Sequence, residues 1–590
     1  MQALVLRIAP LWWLAALFAG FLVYGASGHD DPHINFWFSH TLLEYGELVN
    51  YNGDRVQQTT SLLLVVLVAL FSKLLPFDLV TCGYLVDILA SFACCVLATR
   101  LARRHCPALA LWPSLLMLAS TSFLLWTFGG MGALLAALVL LLAACAWADY
   151  VDAPQLQARH YGQLAAVTLA LMTVRPEMPL VIVATSAGLL VWHWRDAVRR
   201  TRFLHIALAS AAGAALLFLW QKAYFGSWLP LPVLAKQTGT LAAKLQSGFI
   251  YVSIFSIVNP AVVLVMLLAP LLLWFSSRQP RTTEATSRSW YTLALVLLAL
   301  TGVYVGFVLT AGGDWMQGGR FFVPVIPLAA LLLVMQAVRA LRRPWLARLL
   351  LLPLLPFSLY FTKAMVAEET HGVPVWAQYR LDPAHAHYGL FEQYNQEHLR
   401  DMAAIDHLHE ILPRLHAQLG RPVRLVSGQA GMVFYRLGQQ HFGKIHFYDL
   451  RGLVEGAFTL CPYLDGMERN PMGMDWSYEQ FLPMLPELKQ HCDFDPPDVV
   501  YDLNSLFSSF EPVFDRHGYA MLHQEEGFVT YNPLEAIPTN NLFVPNVIFV
   551  RKDLLPLLGN PPKRMVVYRD IPLVNRVEKD FYNRLTGRGQ

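Results

Sequence analysis

A chain of 590 residues is long enough for about three or four soluble domains, but its 55% hydrophobic content, 14% charged content and mean hydropathy of +0.42 exclude that organisation. Soluble globular chains carry roughly 25% charged residues. The charge is also divided: residues 1–364 carry a net +11 and residues 365–590 a net −8, which separates a membrane part from a soluble part. An overall charge of +3, with basic residues scattered between apolar runs, leaves no footprint for nucleic-acid binding. The same composition excludes disordered, collagen-like and coiled-coil chains.

Taken in chain order, apolar runs of about 20 residues predict about eleven membrane spans. They are 8–24, 79–99, 107–126, 131–148, 162–174, 178–194, 203–220, 249–275, 290–309, 321–338 and 345–364. Arg7, Arg103, Arg159, Arg199, Arg281, Arg342 and their basic neighbours then fall on one side, which the excess of Lys and Arg assigns to the cytoplasm. The expectation is a multi-pass protein of the cytoplasmic (inner) membrane, its N-terminus inside and its C-terminal part outside. Segment 8–24 reads as a first anchor rather than a cleaved signal peptide. The run 61–71 is apolar but too short to span, and making it a span would put Arg100, Arg103 and Arg104 outside. It is therefore predicted as a re-entrant or interface-lying helix in the first external loop, 29–78.

Residues 365–590 have the composition of an ordinary globular domain. A helical stretch at 397–419 and β-rich runs at 423–427, 444–450, 499–502 and 547–551 predict an α/β arrangement. It holds no nucleotide-binding glycine loop, zinc-spaced Cys/His set or nucleophile elbow. His385, His387, His398, His407 and His409 read as a solvated helical face in preference to a metal site. Cys461 and Cys492 are the two external cysteines and a candidate disulfide, worth about 3–4 kcal/mol; two unpaired buried thiols are the alternative.

Chemistry-bearing residues gather at the outer face. Asp30 and Asp31 follow the first span directly, within His29-Asp30-Asp31-Pro32-His33. Two adjacent carboxylates at a membrane surface suit a general base, since partial desolvation beside another acid raises proton affinity. Equally, Asp31 suits an Asp-Pro helix cap. Arg175-Pro176-Glu177, the segment from Phe225 to Lys236, and Gly312-Gly313-Asp314-Trp315 through Arg320 set cations and acids among aromatic and small residues. Cations beside an apolar groove suit an anionic lipid head group such as a polyprenyl phosphate, although any one alone reads as an interfacial snorkelling residue. Phe225, Trp228, Leu229 and Leu231, beside Lys236, make an apolar wall for a prenyl chain. Asp87, mid-span, is either functional or a helix-to-helix hydrogen bond.

The segments "HDDPHINFWFSHTLLEYGELVN", "WTFGGMGALLAAL", "LMTVRPEMPL", "YFGSWLPLPVLAK" and "GGDWMQGGRFFVPVIPL", with "VSGQAGMVFYRLG" and "KIHFYDLRGLVEGAF" further on, resemble the GT-C superfamily of polyprenyl-phosphate-sugar-dependent glycosyltransferases. The likeness is greatest to the mycobacterial terminal β-(1→2) arabinofuranosyltransferase and its bacterial relatives. The resemblance implies a membrane enzyme that moves arabinofuranose or a similar sugar from a polyprenyl monophosphate carrier to an extracytoplasmic glycan, lipid or protein acceptor. It implies a catalytic carboxylate at Asp30 with Asp31 its neighbour, and donor-phosphate binding by Arg175, Lys236 and Arg320. Sugar or acceptor contacts fall to His33, Glu177, Asp314 and Trp315, with Asp314 either orienting sugar hydroxyls or holding Arg320. His33 and Phe36-Trp37-Phe38 replace the family's aromatic and Arg-Tyr step, and Gly129-Gly130-Met131-Gly132 lacks its Glu-Thr.

In the implied scheme a carboxylate takes the acceptor proton while fixed cations meet the charge on the leaving phosphate, so no cofactor is required in principle, and use of a divalent metal is left open. A retaining course would instead make one acid the nucleophile. A flippase for lipid-linked sugars and a non-catalytic glycan-binding membrane protein are the rival classes.

Overall fold

The computed structural model describes residues 2–26, 30–236, 240–262, 264–268, 285–314, 316, 318–341, 343–358, 360, 396–464, 478–492, 494–503, 511–529, 541–543 and 546–569. The first part is helical: α1 (Gln2–Tyr24), α2 (Pro32–Glu44), α3 (Leu62–Leu74), α4 (Leu79–His105), α5 (Trp112–Ala119), α6 (Thr121–Thr127), α7 (Ala133–Asp152), α8 (Ala158–Val174), α9 (Met178–Trp192), α10 (Ala197–Phe225), α11 (Leu231–Ala235), α12 (Leu241–Val258), α13 (Pro260–Leu268), α14 (Ala285–Ala311), α15 (Ile326–Leu341) and α16 (Pro344–Leu351). Among the described residues five runs are long and apolar enough to cross a membrane: α4, α7, α10, Trp290–Ala311 and Arg320–Leu341. The other expected spans fall on shorter helices, Ile8–Tyr24, α8, α9 and Pro344–Ser358, and on two bent pairs.

Two of the expected spans are bent: 107–126, and 249–275, of which 269–275 lie outside the described residues. Pro107–Ala119 meets α6 at 71°, and Leu241–Ile257 meets α13 at 107°. Ser120 is extended at the first break, and its hydroxyl accepts from the Phe123 amide to cap α6. At the second, Asn259 precedes Pro260, which has no N–H to continue the ladder and disfavours helical backbone before it. The breaks are joined: Ser120 Oγ donates to Asn259 Oδ1, and Asn259 Nδ2 donates to Ser122 Oγ at 2.8 Å, all three residues buried. Polar backbone freed inside an apolar bundle is tolerated where side chains of this kind satisfy it.

Asp87 proves to be a cap. Gly132, ahead of α7, lies at φ 75° and offers no side chain; Asp87 of α4 accepts instead from the Gly132, Leu134 and Leu135 amides at 2.8, 3.1 and 3.1 Å. A carboxylate there satisfies orphan N–H groups and meets the positive end of the helix. The 61–71 run forms α3, 13 residues long and capped by Ser61, with Leu64, Val65 and Val68 buried and Val66, Leu70 and Leu74 exposed.

The C-terminal part is an α/β domain. Strands β1 (Val423–Ser427), β2 (Ile445–Asp449), β3 (Val499–Leu503), β4 (Tyr519–Val529), β5 (Asn541–Phe543), β6 (Asn546–Arg551) and β7 (Arg564–Arg569) form one sheet in the order β2-β1-β3-β6-β4-β5, with β7 on β4. β1 pairs in parallel with β2 and β3, while β6 runs antiparallel to β3 and β4. Helices α17 (Gln396–Leu419) and α18 (Met432–His441) pack on the side continuous with the membrane part. On the other side α19 (Gly456–Thr459) and α20 (Tyr478–His491) enclose a second core of Phe458, Phe481, Leu488, Phe494 and Phe549, closed by the Cys461–Cys492 disulfide.

The domain is clamped to the first loop. Asn52 exchanges hydrogen bonds with the Phe447 backbone, donating to its O at 2.9 Å and accepting from its N at 2.7 Å, and so covers the edge strand β2. Asn50 Nδ2 donates to Val454 O at 3.2 Å. Trp37, fully buried, lies so close to Gly438 that a Cβ there would fall 2.8 Å from its ring.

Candidate active site

Four outer segments converge on one cluster. Between α8 and α9, the Arg175 guanidinium is paired with Glu177, whose Oε1 also accepts from Tyr304 Oη of α14 at 2.9 Å. Their side chains are 9% and 4% exposed, so this charge pair is nearly removed from water, where the partner is needed to offset desolvation. Before α15, Gly318 and Gly319 turn the chain at φ 69° and 65°; a Cβ would meet Leu125 at 2.4 Å and Phe255 at 2.5 Å, so glycine is required. The turn delivers Arg320, whose Nε and Nη2 bind both Asp314 oxygens at 2.7 and 2.9 Å. The Phe321 ring lies between the two guanidiniums, 5.5 Å from each, and Trp126 lies 5.6 Å from Arg320.

Lys236 follows α11. It is exposed and, unlike the arginines, has no ion pair among the described residues. Surrounding protein and the charges of Arg320 and Arg175 lower its pKa against the opposing pull of Asp314 and Asp31. An accessible cation hemmed in by protein is the signature of a residue facing a hollow. A small, open cavity lies beside Arg175, lined in part by Gln57, Met172, Phe218, Gln221 and Leu229.

The two acids of the first loop diverge. Asp31 stands at the N-cap of α2 but makes no capping hydrogen bond, which corrects the helix-cap alternative; its Oδ2 lies 3.8 Å from Arg320 Nη1. Asp30 turns the other way, to the outer domain, where its Oδ2 accepts from the Gly431 amide at 3.0 Å. With Arg175 matched by Glu177 and Arg320 held twice by Asp314, Asp31 keeps only its 3.8 Å approach to Arg320, and Lys236 has no ion pair among the described residues.

The remaining candidates are distributed unevenly. Asp314 holds Arg320, the second of its expected roles. His33 is fully buried, its Nδ1 3.2 Å from Asp30 O and its ring 5.3 Å from Tyr435 of the outer domain; it packs the domain boundary and has no surface for a sugar. Trp315 lies outside the described residues. Of the apolar wall, Phe225 is buried against Phe38 and Leu231 is buried, because Leu231 N is tied to Gln57 O at 2.9 Å; Trp228 is exposed and Leu229 lines the cavity. His407 faces His523 and His409 faces His441, at 3.2 and 3.0 Å between ring nitrogens, so these two histidines do not share a site. Sequence reasoning missed Tyr304, Gln429 and Gly431. Tyr304 is one hydroxyl among several in its span, beside Tyr291, Thr292 and Thr301, and Gln429 and Gly431 lie in the segment VSGQAGMVFYRLG, whose resemblance assigns them no role.

No family model and no curated protein matches this chain. Among solved structures it is similar to the crystal structure of ArnT from Cupriavidus metallidurans bound to undecaprenyl phosphate, with 13% sequence identity and a TM-score of 0.45, over 93% of this chain and 97% of that one. The site described above stands on the chain's own residues.

Proposed function

We propose that this protein is a membrane glycosyltransferase of the GT-C type, which transfers a sugar from a polyprenyl monophosphate carrier to an acceptor on the outer side of the cytoplasmic membrane. The observation that carries the reading is Lys236, an exposed cation with no ion pair among the described residues that feels the charges of Arg320, Arg175, Asp314 and Asp31, together with Asp31 Oδ2 at 3.8 Å from Arg320 Nη1. Arabinofuranose as the sugar rests on the sequence resemblance.

In this scheme the donor is a phosphodiester with one negative charge. The acceptor hydroxyl forms a bond to the anomeric carbon and its proton passes to Asp31, while the bond from that carbon to the phosphate oxygen breaks. The electron pair stays on the polyprenyl phosphate, which gains a second negative charge. Lys236 and the Nη1 edge of Arg320 meet that charge, and stabilisation of charge as it develops is the largest catalytic effect available to such a site. Proton acceptance by a positioned carboxylate adds roughly 10²–10⁴-fold. Glu177 and Asp314 keep the arginines oriented.

The test is release of polyprenyl phosphate from synthetic polyprenyl-phosphoryl arabinofuranose by the purified protein, with Asp31→Asn as control. Release that needs Asp31 supports donor class and base together. Release only from a carrier of another sugar keeps the enzyme and discards arabinose. No release from any carrier, with transport of the lipid-linked sugar in vesicles, replaces the reading with a flippase.

A further inference from the structure

The turn between β1 and α18 lies at the C-terminal end of the central strand of three parallel neighbours, the edge at which open α/β sheets hold their ligands. Here the crevice is filled by the chain's own Asp30. The Gly431 amide, at the start of α18, donates to Asp30 Oδ2 at 3.0 Å. The Gln429 side-chain amide, with its nitrogen turned to Asp30, donates to Oδ2 and Oδ1 at 3.0 and 3.2 Å. Ser427 Oγ accepts from Gln429 N at 2.9 Å and shapes the turn. A Cβ on Gly431 would fall 2.0 Å from Asp30 O, so only glycine admits the approach. Tyr51 Oη lies 3.4 Å from both Gly431 O and His33 O, bracing the two segments across the boundary.

From this we infer that the outer domain completes the catalytic site: Gln429 and Gly431 are positioning residues that hold Asp30 and thereby aim the adjacent Asp31 at Arg320. The inference rests on the glycosyltransferase reading. Asp30 and Asp31 share a peptide unit, so fixing one carboxylate at a helix N-terminus, where orphan N–H groups and the helix dipole favour an anion, fixes the backbone that carries the other. The crevice is consequently closed to free ligand, and the domain acts on the chemistry through a contact some 400 positions apart in sequence.

The experiment combines turnover with hydrogen exchange on the full chain. Gln429→Leu keeps volume and removes the donor; it is expected to lower kcat on the order of tenfold or more while leaving the donor KM nearly unchanged, as a misaimed group does. In a double-mutant cycle, Asp30→Asn with Gln429→Leu should cost little more than Asp30→Asn alone. Gly431→Ala should speed exchange in 30–36 as well as in 429–435. Wild-type kcat in Gln429→Leu, additive losses in the cycle, or unchanged exchange in 30–36 would each overturn the inference. Transfer by the wild type that ignores Gln429 removes this inference alone, whereas a wild type inert towards every carrier removes the functional reading and the catalytic role with it.

Discussion

Two buried groups of arginines and acids in this molecule differ in what they leave over. In the outer domain Asp498, fully buried, accepts from Arg421 at 2.6 and 2.8 Å and from the Arg424 amide at 3.0 Å, with Arg551 3.3 Å away. Every acceptor position there is used, and the group ties β3 to its flanks. In the membrane part Arg175 and Arg320 are matched in the same manner by Glu177 and Asp314, but among the described residues Lys236 has no ion pair and Asp31 reaches only Arg320, at 3.8 Å. A saturated network holds a fold together; an unsaturated one has capacity for a substrate.

Four experiments break or sharpen that contrast. The largest effect is expected from Asp31→Asn, which should reduce transfer by roughly 10²–10⁴-fold at unchanged protein level; retention of full transfer breaks the base assignment. Asp498→Ala should destabilise the C-terminal domain by about 1–3 kcal/mol, because it removes the buried acceptor of charged hydrogen bonds from Arg421 and leaves the Arg424 amide without its carboxylate partner. Thermal or denaturant unfolding measures it, and turnover per folded molecule should hold.

Lys236→Met should raise the donor KM on the order of 10–100-fold, the worth of a charged hydrogen bond. Because the pKa of Lys236 is lowered, wild-type donor binding should fall in alkaline solution before an ordinary lysine would titrate, and Lys236→Arg should move that limb upward. The smallest effect is on stability against pH. Burial pushes the Glu455 pKa up to about 8 and that of Asp449 up to about 6. The folded state then holds a proton that the unfolded chain releases, so stability should decline as pH rises to about 8. His407 and His523, lowered to about 4 by burial, act in the opposite sense between about 4 and 6.5. The cleanest window is therefore pH 6.5 to 8, and Glu455→Gln should flatten the slope there.

Much of this architecture is legible in the sequence because apolar runs and basic loops obey the solvent on each side. The α/β domain follows from its change in composition, and Arg175, Lys236, Asp314 and Arg320 converge because the topology assigns all of them to one face. What escaped is what depends on partners far along the chain. The resemblance points to Asp30 as the catalytic carboxylate, whereas the contacts of Asp30 with Gly431 and of Asp31 with Arg320 favour Asp31. Pro260 signals a break, but the Ser120 break needs Asn259 to be intelligible. Asp87 reads as either a functional acid or a helix-to-helix hydrogen bond until the Gly132 turn beneath it decides for the second. Phe225 and Leu231 read as a lipid surface until Phe38 and Gln57 claim them.

The bridge between the two bent helices has a consequence during synthesis. Ser120 leaves the ribosome 139 residues before Asn259, which at about 5–20 residues per second is roughly 7–28 s. Throughout that interval the bend at Ser120 lacks the partner that satisfies it inside an apolar environment. The α5–α6 hairpin must therefore wait beside the insertion machinery, in contact with water or protein, and it enters its final place only when α12 arrives. Truncated chains ending before residue 259 and carrying a cysteine introduced into α6, as in Leu124→Cys, should accordingly be labelled there by thiol-reactive probes that the complete chain excludes.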